Sequence, residues 1–162
     1  DTAFTKPAFR DAMSARRALV PADVFYEWQA GATKGAKQPW AIAMKGREPF
    51  AFGGLWEHWR NKGGDGEVLL TCTILTTEAN NLVKPIHDRM PVILNAKDYD
   101  EWLDHDIKQP EELEHLFQPL PEKLLRAYPV SRRVGHVSNN DEKRLNPVAL
   151  PAKRDERELI PF

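Results

Sequence analysis

VFYEWQAGATKGAKQPWAIAM, residues 24–44, decides the fold. Val24 to Gln29 is aromatic and β-branched, the composition of a strand that packs on a pleated surface. GATKGAKQ is polar and carries two glycines, so it reads as a turn. PWAIAM, residues 39–44, is apolar again and pairs back as the second arm of a hairpin. Working outward, FAFGGLWEHW (50–59) is another strand, and Gly53-Gly54 inside it signals a bulge or a close backbone approach. NKGGDGE (61–67) is a flexible loop. VLLTCTILTT (68–77) is a continuous apolar strand, expected to lie centrally in its sheet.

The helical signals are short and peripheral. TKPAFRDAMSARR (5–17) places Thr5 as a cap, Pro7 in the first turn and Phe9, Ala12 and Met13 on one face. EANNLV (78–83) is a single helical turn. KPIHDRMP (84–91) is a loop with a proline near each end, and PVIL (91–94) is a short strand. Asn95 is expected to cap a helix over AKDYDEWLD (96–104), and Pro110 opens another over PEELEHLF (110–117). LLRAYPVS (124–131) is a late strand. Strands outnumber helices and do not alternate with them regularly. The expectation is α+β, with a curved, mainly antiparallel sheet or barrel-like core and short peripheral helices. No repeat or linker divides residues 1–162, read as one domain with a charged extension over 141–162.

The chain has 162 residues, 41% hydrophobic and 29% charged, with a net charge of −1. That is enough apolar content for a core, and no run approaches membrane-spanning length. The near-zero charge means that any nucleic-acid site must be a local basic patch. Cys72 is the single cysteine. It can form no internal disulfide and no metal cluster, and it fits a reducing compartment. In mid-strand between apolar neighbours, it is expected to be buried and inert. Neither a P-loop, a dinucleotide fingerprint, a Gly-x-Ser-x-Gly elbow nor a His-Glu-x-x-His motif occurs, so a serine-triad hydrolase and a metalloenzyme both lack support.

Two residues have contexts suited to proton transfer. Glu27 lies between Tyr26 and Trp28. Burial there would raise its pKa and fit it for general acid–base work, whereas an edge position would leave it a solvated carboxylate. His87 lies in a loop stiffened by Pro85 and Pro91, and imidazole passes a proton in either direction near neutrality. A structural histidine bonded to backbone is the competing reading. His58, His105, His115 and His136 read as surface residues. Thr76 and Thr77 end the long strand, where hydroxyls either hold a phosphate or simply cap. Trp28, Trp56 and Trp59 either stack on unpaired bases or pack in the core. Arg16-Arg17 and Arg132-Arg133 are basic pairs too short to be specific.

The segments RRALVPADVFYEW (16–28), FAFGGLWE (50–57), ILTTEANNLVKPIHDRMPVIL (74–94), WLD (102–104) and YPVSRRVGHVSNN (128–140), in that order, resemble the SRAP family (SOS response-associated peptidase). The pairing of PAD-x-FYEW with IHDRMPVIL is the specific part. The resemblance implies a DNA-repair protein that shields abasic sites in single-stranded DNA. An N-terminal cysteine, exposed by self-cleavage after the initiator Met, closes a thiazolidine ring with the opened sugar aldehyde. Carried onto this sequence, it makes Glu27 and His87 the catalytic residues. Arg89 becomes a phosphate contact, Trp28 part of the DNA groove, and Thr76 a neighbour of the DNA backbone. It implies no metal, no cofactor, a monomer, and a cytoplasmic, nucleoid-associated protein, or a nuclear one in a eukaryote.

The family's opening Met-Cys-Gly-Arg and its Asn-Ala-Arg motif are absent from this sequence. The expectation is an N-terminally truncated chain that cannot form the thiazolidine by itself, since Cys72 has no free α-amine. Two alternatives stand beside this reading: a non-catalytic single-stranded DNA-binding module, and a peptidase or amidohydrolase acting on another substrate.

Overall fold

The computed structural model describes residues 6–31, 35–60 and 68–150. The loop expected at 61–67 and the last part of the extension lie outside them. Helix α1 (Pro7–Ala15) has its proline in the first turn, as expected. Strands β1 (Arg17–Ala22), β4 (Phe50–Arg60) and β5 (Val68–Ile74) form one sheet in the order β1-β4-β5. The short β8 (Ile93–Leu94) also pairs with β4. The hairpin β2 (Phe25–Ala30) and β3 (Lys37–Met44), joined by β9 (Leu125–Pro129), forms a second sheet. β6 (Thr76–Glu78) pairs with β7 (Arg89–Pro91) in a third ladder. Every ladder is antiparallel. The α+β expectation therefore holds, although the sheets of the described residues do not close into a barrel.

β4 organises the layers because its side chains alternate between two cores. Leu55 packs with Ala12 and Met13 of α1, with Trp102 of helix α2 (Tyr99–Leu103), and with Leu113 and Phe117 of the 3-10 segment Pro110–Phe117. Phe50 and Phe52 face the other way, onto Phe25, Ile42 and Leu125 of the second sheet and onto Val83 and Met90. Phe52 meets Phe25 and Phe50 edge-on, at 5.8 and 5.2 Å between ring centroids, the arrangement that aromatic quadrupoles prefer. The result is helices, sheet and second sheet in three layers.

The Gly53-Gly54 signal is a close approach. A Cβ on Gly54 would stand 2.8 Å from Val20 Cγ2 and 3.3 Å from the Thr73 carbonyl, whereas one on Gly53 would meet Val92 at 3.4 Å. Around Gly53 three backbone bonds close a ring: Leu75 N–H to Gly53 O, Gly53 N–H to Val92 O, and Val92 N–H to Leu75 O, each 2.9 Å. This junction ends β5 and starts the β6–β7 ladder. We expect Gly54→Ala to destabilise the protein by about 1–3 kcal/mol, because the new methyl meets a branched side chain and two neighbouring strands. Urea unfolding of Gly53→Ala and Gly54→Ala should rank the second as clearly worse.

Two expectations fail at β5. The apolar run 68–77 is neither continuous nor central: it breaks at Leu75, and β5 lies at the edge of its sheet among the described residues, pairing only with β4. Val68, Leu69, Leu70 and Ile74 are exposed, and so is Cys72. An apolar run reports that a strand is to be covered on both faces, not which strands flank it. Asn95 also caps no backbone N–H with its side chain; its amide donates instead to Asp98 Oδ2 at 3.1 Å. The helical stretch after it starts as a 3-10 turn before α2.

Candidate functional site

Residues 79–88, the loop between β6 and β7, are built from the inside together with β7. Val83, Ile86 and Met90 are buried, while Lys84, His87 and Asp88 point outward. The Asn80 side chain accepts from the N–H groups of Leu82 and Val83, at 3.1 and 3.0 Å, and donates to the Leu120 carbonyl at 2.7 Å. The N–H groups of Ile86 and His87 both bond to the Val83 carbonyl, at 2.7 and 3.0 Å. The Ala79 N–H reaches the Asp88 carbonyl at 3.0 Å and closes the base of the loop. Buried anchors and satisfied backbone groups hold the outward side chains in place before any ligand arrives.

His87 is 44% exposed, so its imidazole is open to solvent. Its Nδ1 lies 3.0 Å from the Arg89 N–H, which can donate to it, and 3.1 Å from the Arg89 carbonyl. Asp88 Oδ1 stands 3.2 Å from the same nitrogen. A neutral ring with its proton on Nε2 accepts from Arg89 N–H. A ring protonated on Nδ1 donates to Asp88 or to the Arg89 carbonyl. Both states thus find a partner at Nδ1, and Nε2 is left to work outward. The competing reading of a backbone-bonded histidine is therefore half right: one nitrogen is bonded to backbone, and the other has no partner among the described residues.

Arg89 and Thr76 are brought together. An Arg89 terminal nitrogen donates to the Thr76 carbonyl at 2.7 Å and to its hydroxyl at 3.1 Å. The β6–β7 ladder pairs Thr76 with Pro91 and Glu78 with Arg89, so this contact follows from register. The rest of the guanidinium fork has no carboxylate partner among the described residues and can still bind a phosphate bidentately.

Glu27 sits on β2 opposite Trp40. It is half-buried, and its carboxylate makes no hydrogen bond or ion pair among the described residues. Strand alternation puts it on the same face as Phe25 and Gln29. Gln29 donates through Nε2 to the Pro85 carbonyl at 2.9 Å, tying this strand to the loop of His87. Sequence reasoning passed over Gln29. Its signal was present in the period-two spacing from Glu27, but its partner lies 56 residues away.

The structure does not bring Trp28 onto the face of Glu27. Trp28 alternates to the other side with Tyr26 and is 38% exposed. Burial pushes the Tyr26 phenol up, opposed by Arg144 and reinforced by Tyr128 and Asp23. Trp56 and Trp59 are also exposed rather than in the core. Neither basic residue at 16–17 belongs to the site. Arg16 pairs with Glu57 at 2.5 Å, and Arg17 is buried among carbonyls. His58, His105, His115 and His136 are on the surface.

No helix among the described residues is long and apolar enough to cross a membrane. The family model described as SOS response associated peptidase (SRAP) matches residues 1–137. The abasic site processing protein YoqW of Bacillus subtilis (strain 168) is 42% identical over 140 residues, covering 86% of this chain and 61% of that protein. The abasic site processing protein HMCES of Gallus gallus is 30% identical over 175 residues, covering 96% of this chain and 51% of that protein. A crystal structure of a protein from Bacteroides thetaiotaomicron superposes with a TM-score of 0.83 at 29% identity, over 92% of this chain and 64% of that one. The chain thus spans 61% and 51% of the lengths of these two curated relatives.

Proposed function

The chain belongs to the SRAP family, and from that premise we propose that it carries the acid–base half of a site that processes abasic positions in single-stranded DNA. The observation that carries this reading is the uncommitted Glu27 carboxylate on a strand bonded to the loop of His87 and Arg89.

An abasic sugar rests mainly as its closed hemiacetal. Opening it requires the C1′ hydroxyl to lose a proton and the ring oxygen to gain one. Glu27, with no hydrogen-bond or ion-pair partner among the described residues and half-shielded from water, takes and returns that proton. The α-amine of the N-terminal cysteine that the family chemistry calls for then adds to the C1′ aldehyde. Loss of water gives a Schiff base, and addition of the cysteine thiol to its carbon closes a thiazolidine. His87 hands the proton to the departing hydroxyl through Nε2, and the reverse transfer assists release. Arg89 and Thr76 hold a backbone phosphate beside this centre. Trp28 borders the groove from the other face of β2, at its exposed end. Cys72 takes no part, because an internal cysteine has no α-amine to form the ring.

Arg89 supplies a direct test of the DNA contact. We expect Arg89→Ala to weaken binding to single strands about equally whatever their sequence. The slope of log affinity against log salt should become shallower by about 0.7 to 1, the signature of one lost phosphate contact. Fluorescence anisotropy with a strand bearing a tetrahydrofuran abasic analogue, titrated at several salt concentrations, measures both. An unchanged slope would remove Arg89 from the interface.

A further inference from the structure

Gln29 has both ends of its amide engaged. Its Oε1 accepts from the indole Nε1–H of Trp40 at 3.1 Å, and its Nε2 donates to the Pro85 carbonyl at 2.9 Å. An indole N–H can only donate and a carbonyl can only accept, so these two partners fix which end of the amide is which. Trp40 lies directly across the hairpin from Glu27 and diagonally from Gln29, on the same face of the sheet. The amide is thus seated on the neighbouring strand before it reaches out to the loop.

The acceptor is well placed to transmit position. Pro85 stands two residues before His87, inside the turn closed by the bonds of Ile86 and His87 to the Val83 carbonyl. Moving the Pro85 carbonyl therefore moves the imidazole. At the other end, Gln29 is two residues beyond Glu27 on a regular strand, so moving one moves the other. Among the described residues, this is the side-chain hydrogen bond that joins β2 to residues 79–91.

We infer that Gln29 is a positioning residue: through Pro85 it sets the separation and orientation of Glu27 and His87 for proton transfer. The inference rests on the reading that these two residues act on one substrate. What the site needs at position 29 is a donor to the Pro85 carbonyl. Lysine keeps that donor. Glutamate, of nearly the same shape as glutamine, sets an acceptor against an acceptor, and alanine removes the contact.

The test measures adduct formation by the cysteine-first protein on abasic single-stranded DNA at saturating DNA, together with its affinity for the tetrahydrofuran strand. Gln29→Ala and Gln29→Glu should slow the adduct step about 10- to 100-fold, the penalty for a displacement of about an ångström at reacting groups. Affinity should stay within about twofold, because the Arg89 guanidinium is held by Thr76 of β6 and not by the bond from Gln29. Gln29→Lys should recover most of the rate. On a Glu27→Gln background, Gln29→Ala should add little, since the group it positions has already been disabled. A merely structural role would instead lower rate and affinity together and would add fully on that background. Equal rates for the lysine and glutamate variants, or full additivity, overturn the inference. If Glu27→Gln and His87→Ala themselves match the wild type, the proposed function fails first; if they are slow and Gln29→Ala is not, only the role of Gln29 fails.

Discussion

Glu27→Gln should slow adduct formation on abasic single-stranded DNA by about 100-fold or more, while leaving affinity for the strand nearly unchanged. A positioned general acid–base residue typically contributes about 10²- to 10⁴-fold, and glutamine keeps the size and polarity of the side chain while removing its capacity to exchange a proton. The structure favours a change confined to the chemical step. Glu27 makes no hydrogen bond or ion pair among the described residues, so substituting it leaves no buried partner stranded. Its backbone pairing with β3 is untouched. Single-turnover rates with the cysteine-first protein, read beside anisotropy affinities, separate the two effects. A variant that bound poorly and reacted normally once bound would move Glu27 from chemistry to binding.

Arg17 governs the largest expected loss of stability. It is 4% exposed at the start of β1. Its guanidinium donates to the carbonyls of Met13 and Trp102, each at 2.6 Å, to Ile107 at 3.2 Å and to Asp104. The first three of these groups in chain order stand near the ends of α1 and α2, where unsatisfied helix carbonyls gather and a cation is favoured. Its Cζ also lies over the Trp102 ring, 5.9 Å from the centroid. Burial pulls the pKa of Arg17 below its usual value, and the Asp104 carboxylate acts against that pull. Arg17→Met fills much of the space but leaves four carbonyls without their donor. The expected cost is about 3–5 kcal/mol, as for removal of one partner from a buried charged network. Urea unfolding should show it as a shift of midpoint at unchanged slope. A loss below about 1 kcal/mol would mean that water replaces the guanidinium.

Arg17 also shows where sequence reading stops. Two adjacent arginines read as a basic pair too short to be specific, and only the fold reveals that one of them faces carbonyls near the ends of two helices and that of Ile107 beyond them. The hairpin of β2 and β3 was legible because its composition, turn and period agree with one another. The close approach at Gly54 was legible because only a residue without Cβ fits there. The place of β5 was not, since an apolar run carries no record of its flanking strands. At the site, Glu27 and the Ile86–Arg89 stretch stood out by residue type and context. The bond that ties them together did not, because it joins a side chain to a backbone carbonyl, which any residue type could supply.

Whether Glu27 and His87 act on abasic DNA is tested directly by electrophoresis after heat denaturation of the protein bearing an N-terminal cysteine, incubated with single-stranded DNA bearing one abasic site. The expected result is a shifted band that resists heating, requires the abasic site, and accumulates far more slowly for Glu27→Gln and His87→Ala. No such band, or a band that both variants form as fast as the wild type, would contradict it.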